Sequence, residues 1–141
     1  MKKVSSLFSV VILIISLCSA FAAETNPSVS DGPTPRYTGI SVFSGKLDVS
    51  GTVATVNAQM GVYSGYTGSI VAEVQERTPN GSWKYLTTFT ATTKNCQAAI
   101  SSATCTAQPG NSYRVYFTFT AYNGRGEIVD CENRYSSVQI A

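Results

Sequence analysis

Tyr113-Arg114-Val115-Tyr116-Phe117-Thr118-Phe119-Thr120-Ala121 is the stretch whose reading decides the fold. Tyr113, Val115, Phe117, Phe119 and Ala121 fall on one side of an extended chain; Arg114, Tyr116, Thr118 and Thr120 fall on the other. Successive side chains alternate in this way only in a β-strand, and aromatic and β-branched residues suit such a pleated, half-buried surface. An amphipathic helix would space its apolar residues three and four apart. The stretch is therefore a strand with one buried and one open face.

Working outward, Asn123-Gly124-Arg125-Gly126 reads as a hairpin turn, because Asn and Gly accept the positive φ that tight hairpins need. The last strand is expected to turn Val129 and Cys131 inward. Its parity slips before Val138 and Ile140, which predicts a bulge near residues 133–136. Upstream lies a weaker strand near Ala98–Ala107. Before that, Trp83, Tyr85, Thr87 and Phe89 share one face of a strand, which assigns Trp83 to the core. Pro79-Asn80-Gly81 is a second turn. Ile70, Ala72 and Val74 point inward from a third strand, and Ala54, Val56, Ala58, Met60 and Val62 from a second. A first strand over Gly39–Val49 places Ile40 and Val42 on one side, is irregular near Gly45 and continues with Leu47 and Val49.

Seven short strands at regular spacing, with no helical period, predict an all-β chain: a single immunoglobulin-like or fibronectin-like β-sandwich of about seven antiparallel strands, over residues 37–141. Pro109-Gly110-Asn111-Ser112-Tyr113 has the form of a tyrosine corner, in which a Tyr opening the penultimate strand bonds upstream backbone through its hydroxyl.

The N-terminus has a different texture. Lys2 and Lys3 precede an apolar run from Val10 to Leu17, and Ala20-Phe21-Ala22 supplies the small-x-small site of a secretory signal, so residues 1–22 read as a signal peptide. Leu17 before Cys18 argues against a lipid anchor there. Residues 23–36 are rich in proline and poor in apolar side chains, the composition of a flexible leader. The expected location is secreted or associated with the cell envelope, with no membrane insertion after cleavage.

Composition then excludes chemistry. The chain has no histidine, ten basic and eight acidic residues. Without Lys2 and Lys3 the charges balance, which argues against a nucleic-acid partner. The absence of imidazole removes Ser-His-Asp and Cys-His nucleophiles and imidazole zinc ligands. Neither a glycine-rich phosphate loop nor a metal-ligand cluster is legible, so the expectation is no cofactor, no metal and no enzyme. Asp130 and Glu132 share a strand face at about 7 Å, a spacing known from glycoside hydrolysis. An exposed strand offers neither cleft nor raised pKa, so they read as partners of Arg114 or Arg134. Glu73 and Arg77 read as a solvated face. Asn80-Gly81-Ser82 spells a glycosylation acceptor relevant only to a eukaryotic route.

Cys96, Cys105 and Cys131 remain after signal cleavage, and exported cysteines pair. Cys96 and Cys105 bracket a short segment and are the first choice. If residues 97–106 form one extended strand, however, its ends lie about 30 Å apart and Cys96–Cys131 becomes the better pair.

The pattern resembles a family of small exported proteins of Gram-positive bacteria whose domain has no assigned function. The resemblance rests on Arg36-Tyr37-Thr38, Ser50-Gly51, Ser82-Trp83 and Tyr113-Arg114-Val115. It implies export and a β-sandwich and supplies no catalytic residue. The functional candidates are the exposed aromatics. Tyr116 and Tyr122 lie on the outer side of the decisive strand, Tyr63 and Tyr66 flank the loop 64–68, and Arg125 tips a hairpin. Aromatic side chains on a neutral Ser/Thr-rich sheet suit stacking on sugars or anchoring a protein. The expected role is a non-enzymatic module for an extracellular protein or a cell-envelope glycan. The alternative is a diffusible effector or inhibitor acting on a foreign protein through the end loops.

Overall fold

In the computed structural model, the decisive strand is the centre of the larger of two sheets. The structure describes residues 36–141, and Tyr37–Ala141 forms one unit. The expected signal (1–22) and nearly all of the leader (23–36) lie outside the described residues. The strands are β1 (Ile40–Ser50), β2 (Val53–Val62), β3 (Thr67–Arg77), β4 (Lys84–Thr92), β5 (Gln97–Thr106), β6 (Ser112–Tyr122), β7 (Ile128–Tyr135) and a two-residue β8 (Gln139–Ile140). The described residues contain no helix.

All pairings are antiparallel. One sheet has the order β1-β2-β5 and the other β4-β3-β6-β7, with β8 pairing β6 beyond the end of β7. The result is a β-sandwich, all-β as the alternation requires. Between the sheets lie Tyr113, Val115, Phe117 and Phe119 of β6, Ile70 and Val74 of β3, Val56 and Met60 of β2, and Ile40 and Leu47 of β1, all buried. β6 supplies the large rings, and the facing sheet supplies smaller side chains that let them fit. Gly45 is the extreme case. A Cβ placed there would sit 2.7–2.8 Å from three ring carbons of Phe117. Gly45→Ala is therefore expected to cost roughly 1–2 kcal/mol through overpacking, read as a fall in the urea midpoint at unchanged m-value. An unchanged midpoint would mean that the Phe117 ring moves aside freely.

Four register shifts change which side chains face inward. On β1 the shift lies between Ile40 and Val42, not at Gly45. It turns Val42 out, 55 % exposed, and turns Phe43 in against Phe119, with ring centres 4.9 Å apart. On β4, Thr87 pairs with Val74 but Tyr85 pairs with Gln75, so one extra residue turns Tyr85 out. Trp83 falls before the strand and outside the core cluster, contrary to its expected core position. On β5 the shift lies between Ile100 and Ala103, where Ser102 has φ 51°. On β7, Ala121 pairs with Asp130 and Tyr122 with Ile128. This places a bulge at Val129, well before residues 133–136; the slip expected before Val138 follows Tyr135, where β7 ends and β8 resumes pairing with β6 one residue out of register. Cys131 therefore faces outward beside Thr120, and Asp130 and Glu132 turn to the inner side. A single extra residue reverses every later side chain, and only the partner strand reveals it.

Candidate functional site

The outer face of the larger sheet is divided by the register into three zones. Tyr122 stands at one end, beside Ser69. The middle is a band of small hydroxylated residues, with Thr118 and Thr120 on β6 and Thr88 and Thr90 on β4. The other end carries Gln75 and Arg77 of β3, Arg114 and Tyr116 of β6, and Tyr135 of β7. The β3–β4 turn delivers Trp83 to this last zone.

These side chains stack. The Arg114 guanidinium carbon lies 4.3 Å from the Trp83 ring centre and 4.3 Å from that of Tyr135. Arg77 lies 4.8 Å from the Trp83 ring, and Tyr135 packs on Tyr116 at 4.7 Å. The order is Arg77, Trp83, Arg114, Tyr135, Tyr116: cations and π-faces alternate as far as Tyr135, attracting one another through the ring quadrupole, and the last contact is ring on ring. Arg114 is held in place because its Nε–H donates to Gln75 Oε1 at 2.8 Å, and the Gln75 amide in turn donates to Glu73. Among the described residues neither Arg77 nor Arg114 has a carboxylate within 4 Å, the two ion pairs there being Lys46–Asp48 and Glu132–Arg134. The site is thus a stacked aromatic platform with two guanidinium groups that have no carboxylate partner, and Tyr135 stays 55 % exposed on it.

Of the binding candidates named from sequence, Tyr63, Tyr66, Tyr116, Tyr122 and Arg125, only Tyr116 belongs to this platform. Tyr122 is on the same face but six residues along β6, roughly 20 Å away. Tyr63, Tyr66, Tyr122 and Arg125 gather instead at the opposite end of the sandwich, since Thr67 pairs with Tyr122 there. Tyr63 is exposed, whereas Tyr66 is half-buried against the core and does not present a free ring. Arg125 is exposed on a tip ordered by Asn123, whose Oδ1 accepts the N–H groups of Arg125 and Glu127. Trp83, Arg114 and Tyr135 were not legible as a site. They come from a turn and two strands, and only Ser82-Trp83 and Tyr113-Arg114-Val115 stood out at all.

Two carboxylates serve structure. Asp130, at the open edge between β7 and β1, accepts the backbone N–H groups of Thr38, Gly39 and Ile40, and the Tyr37 hydroxyl donates to Glu132 at 3.0 Å. Asp130 thus caps the entry of β1 and, contrary to the expectation from sequence, does not pair with Arg114 or Arg134; Glu132 does pair with Arg134, at 3.1 Å. Burial alone would raise the Asp130 pKa, but the three N–H donors together hold it below the usual aspartate range. Tyr113 is buried. Its hydroxyl accepts the Gln108 N–H and donates to Glu76, both at 2.6 Å. That bond and a second from the Asn111 amide lower the Glu76 pKa.

Cys96, Cys105 and Cys131 are all free thiols, so the expected Cys96–Cys105 disulfide is not formed. The reason is the one that argued against it: Gln97–Thr106 is one strand, and its ends are far apart. Nor is the Cys96–Cys131 alternative formed. Cys131 faces outward on β7, whereas Cys96 lies in the tight turn that leads into β5 on the opposite sheet. Burial pushes the Cys105 thiol pKa up, and the nearby Glu76 adds to it. This is the environment of an inert thiol.

No protein-family model matches the chain, and no curated protein does. Among solved structures it is similar to Bacteroides uniformis β-glucuronidase 2 covalently bound to cyclophellitol-6-carboxylate aziridine, at 16 % identity and a TM-score of 0.36, over 72 % of this chain and 13 % of that one. Another solved structure, of Bacteroides uniformis β-glucuronidase, is similar at 18 % identity and a TM-score of 0.31, over 67 % of this chain and 13 % of that one. The chain thus spans a small part of each of these structures.

Proposed function

We propose that this protein is an exported, non-enzymatic binding module that takes a cell-envelope glycan or an extracellular protein on the outer face of its larger sheet. The observation that carries this reading is the stacked platform of Trp83, Arg114, Tyr135 and Tyr116. Flat rings already packed against neighbouring guanidinium groups lose little conformational freedom on contact, and aromatic and arginine side chains dominate recognition surfaces. The secretory pattern at residues 1–22 and the resemblance to exported domains support the extracellular placement. The lack of histidine supports a role without catalysis.

Cosedimentation of the purified protein with cell walls, intact or stripped of protein or of polysaccharide, tests the reading. Trp83→Ala and Tyr135→Ala are expected to lower retention by about tenfold each, with the fold preserved, as for anchor residues of an interface. Arg125→Ala, at the far end, is expected to have no effect. The reverse pattern, with Arg125 essential and the platform dispensable, would transfer the function to the end loops and favour a diffusible effector.

A further inference from the structure

The sandwich has four exposed strand edges, and three of them are guarded. A free edge stays monomeric when charges, bulges or proline interrupt it. β1 carries Lys46 and Asp48 and a bulge at its start. β7 carries Asp130, Glu132 and Arg134. β5 is broken at Ser102 by its register shift and positive φ. β4 differs. From Tyr85 to Thr92 it has no charge and no proline, and its register with β3 runs unbroken from Thr87 to Thr92. Lys94 is the only charged residue between Lys84 and Arg114. Tyr85 and Leu86 are also exposed on this edge.

The backbone there is ready to pair. The Thr93 N–H donates to the Gly68 carbonyl, which fixes the alternation of the ladder. Phe89 and Ala91 likewise turn their peptide groups to β3, and Thr88 and Thr90 turn theirs away from the sheet.

We propose that β4 is a self-association edge, at which two copies of this chain pair antiparallel about a two-fold axis at Thr88. In this register Thr88 lies opposite the partner's Thr88, Thr87 opposite the partner's Phe89 and Leu86 opposite the partner's Thr90. No two charges meet. A slip that moved the axis to Phe89 would set Lys84 beside the partner's Lys94, and like-charge repulsion disfavours that register. The interface is isologous, as a closed dimer requires. The axis runs normal to the sheet, so pairing makes one continuous sheet of eight strands, β7-β6-β3-β4 and its copy. Both Trp83–Arg114 platforms then stand on the same side, and a repeating polymer or a clustered partner meets two sites at once.

Sedimentation equilibrium of the purified protein, from roughly 1 μM to 1 mM, is expected to show a concentration-dependent dimer. Thr88→Lys and Thr88→Glu, which each set like charges across the axis, are expected to be monomeric alone and to re-form a dimer when mixed in equal amounts, with circular dichroism confirming the fold. The unmodified protein gives a second reading without any variant. Amide exchange at Thr88 and Thr90 should slow at high protein concentration, while amides on the free edge of β1 stay unchanged. A wild-type chain that remains monomeric throughout, a dimer indifferent to both substitutions, or exchange at Thr88 and Thr90 independent of concentration would each overturn the proposal.

Discussion

Asp130→Ala is expected to destabilise the domain by about 3 kcal/mol, because the backbone N–H groups of Gly39 and Ile40 lose a charged acceptor at a half-buried edge. The Thr38 N–H is exposed and finds water instead. For a domain of this size the loss corresponds to a melting temperature lower by roughly 12–18 °C. The effect is local in origin and long-range in consequence, since Asp130 joins the entry of β1 to a strand about ninety residues later in the sequence. Asp130→Asn, which retains one acceptor oxygen without the charge, should fall between the two. The carboxyl is held below the usual aspartate range, so its contribution is complete above the unfolded pKa near 4 and is lost as the pH falls through the folded value. Thermal melts at successive pH values should therefore show wild type and Asp130→Ala furthest apart above the unfolded aspartate pKa, with the gap narrowing as the pH falls below it. A constant gap across that range would show that Asp130 acts through packing and not through its charge.

Tyr113→Phe carries the second large effect, roughly 2–3 kcal/mol. Removing one buried oxygen leaves the Gln108 N–H without its acceptor and deprives Glu76 of its shortest donor, while the ring stays in the core. The same change should raise the Glu76 pKa, because the Tyr113 hydrogen bond is the largest cause of its depression. Depression of Glu76 stabilises the fold above the unfolded glutamate pKa and ceases to do so as the pH falls through the folded value. The variant should therefore lose part of the acid sensitivity of wild type in the window below about pH 4.5, measured by chemical denaturation at each pH. Tyr113 itself is shifted upward by burial, so its own contribution is present below pH 10 and fades above it in the wild type alone. A loss under 0.5 kcal/mol, the range of neutral surface changes, would show that water replaces the hydroxyl at this corner.

Much of the fold was legible. β2 and β3 turn inward the residues read from their alternation, β6 does so along its whole length, and the hairpin at 123–126 lies where Asn and Gly place it. The candidate site was legible only in part. Tyr116 was named, but the ring it packs on, Tyr135, follows a bulge that the β7 sequence does not announce. Trp83 was assigned to the core because it shares parity with Phe89, and the extra residue near Leu86 breaks that parity. Arg77 and Arg114 read as ordinary solvated charges, since nothing in their own strands shows that an indole from a turn lies between them.

The sequence by itself determined that the chain is all-β, where its strands lie and which face of each unbulged strand is buried. These follow from sterics and solvation acting within a few residues, and periodicity records them directly. Tertiary structure alone decided the pairing of strands, the position of the four register shifts, the roles of Asp130 and Glu132, the separation of the three thiols and the assembly of the Trp83 platform. Each of these depends on what stands across the sheet or across the sandwich, tens of residues away in sequence. A local pattern carries no record of its partner, and a single inserted residue reverses the face of all that follow.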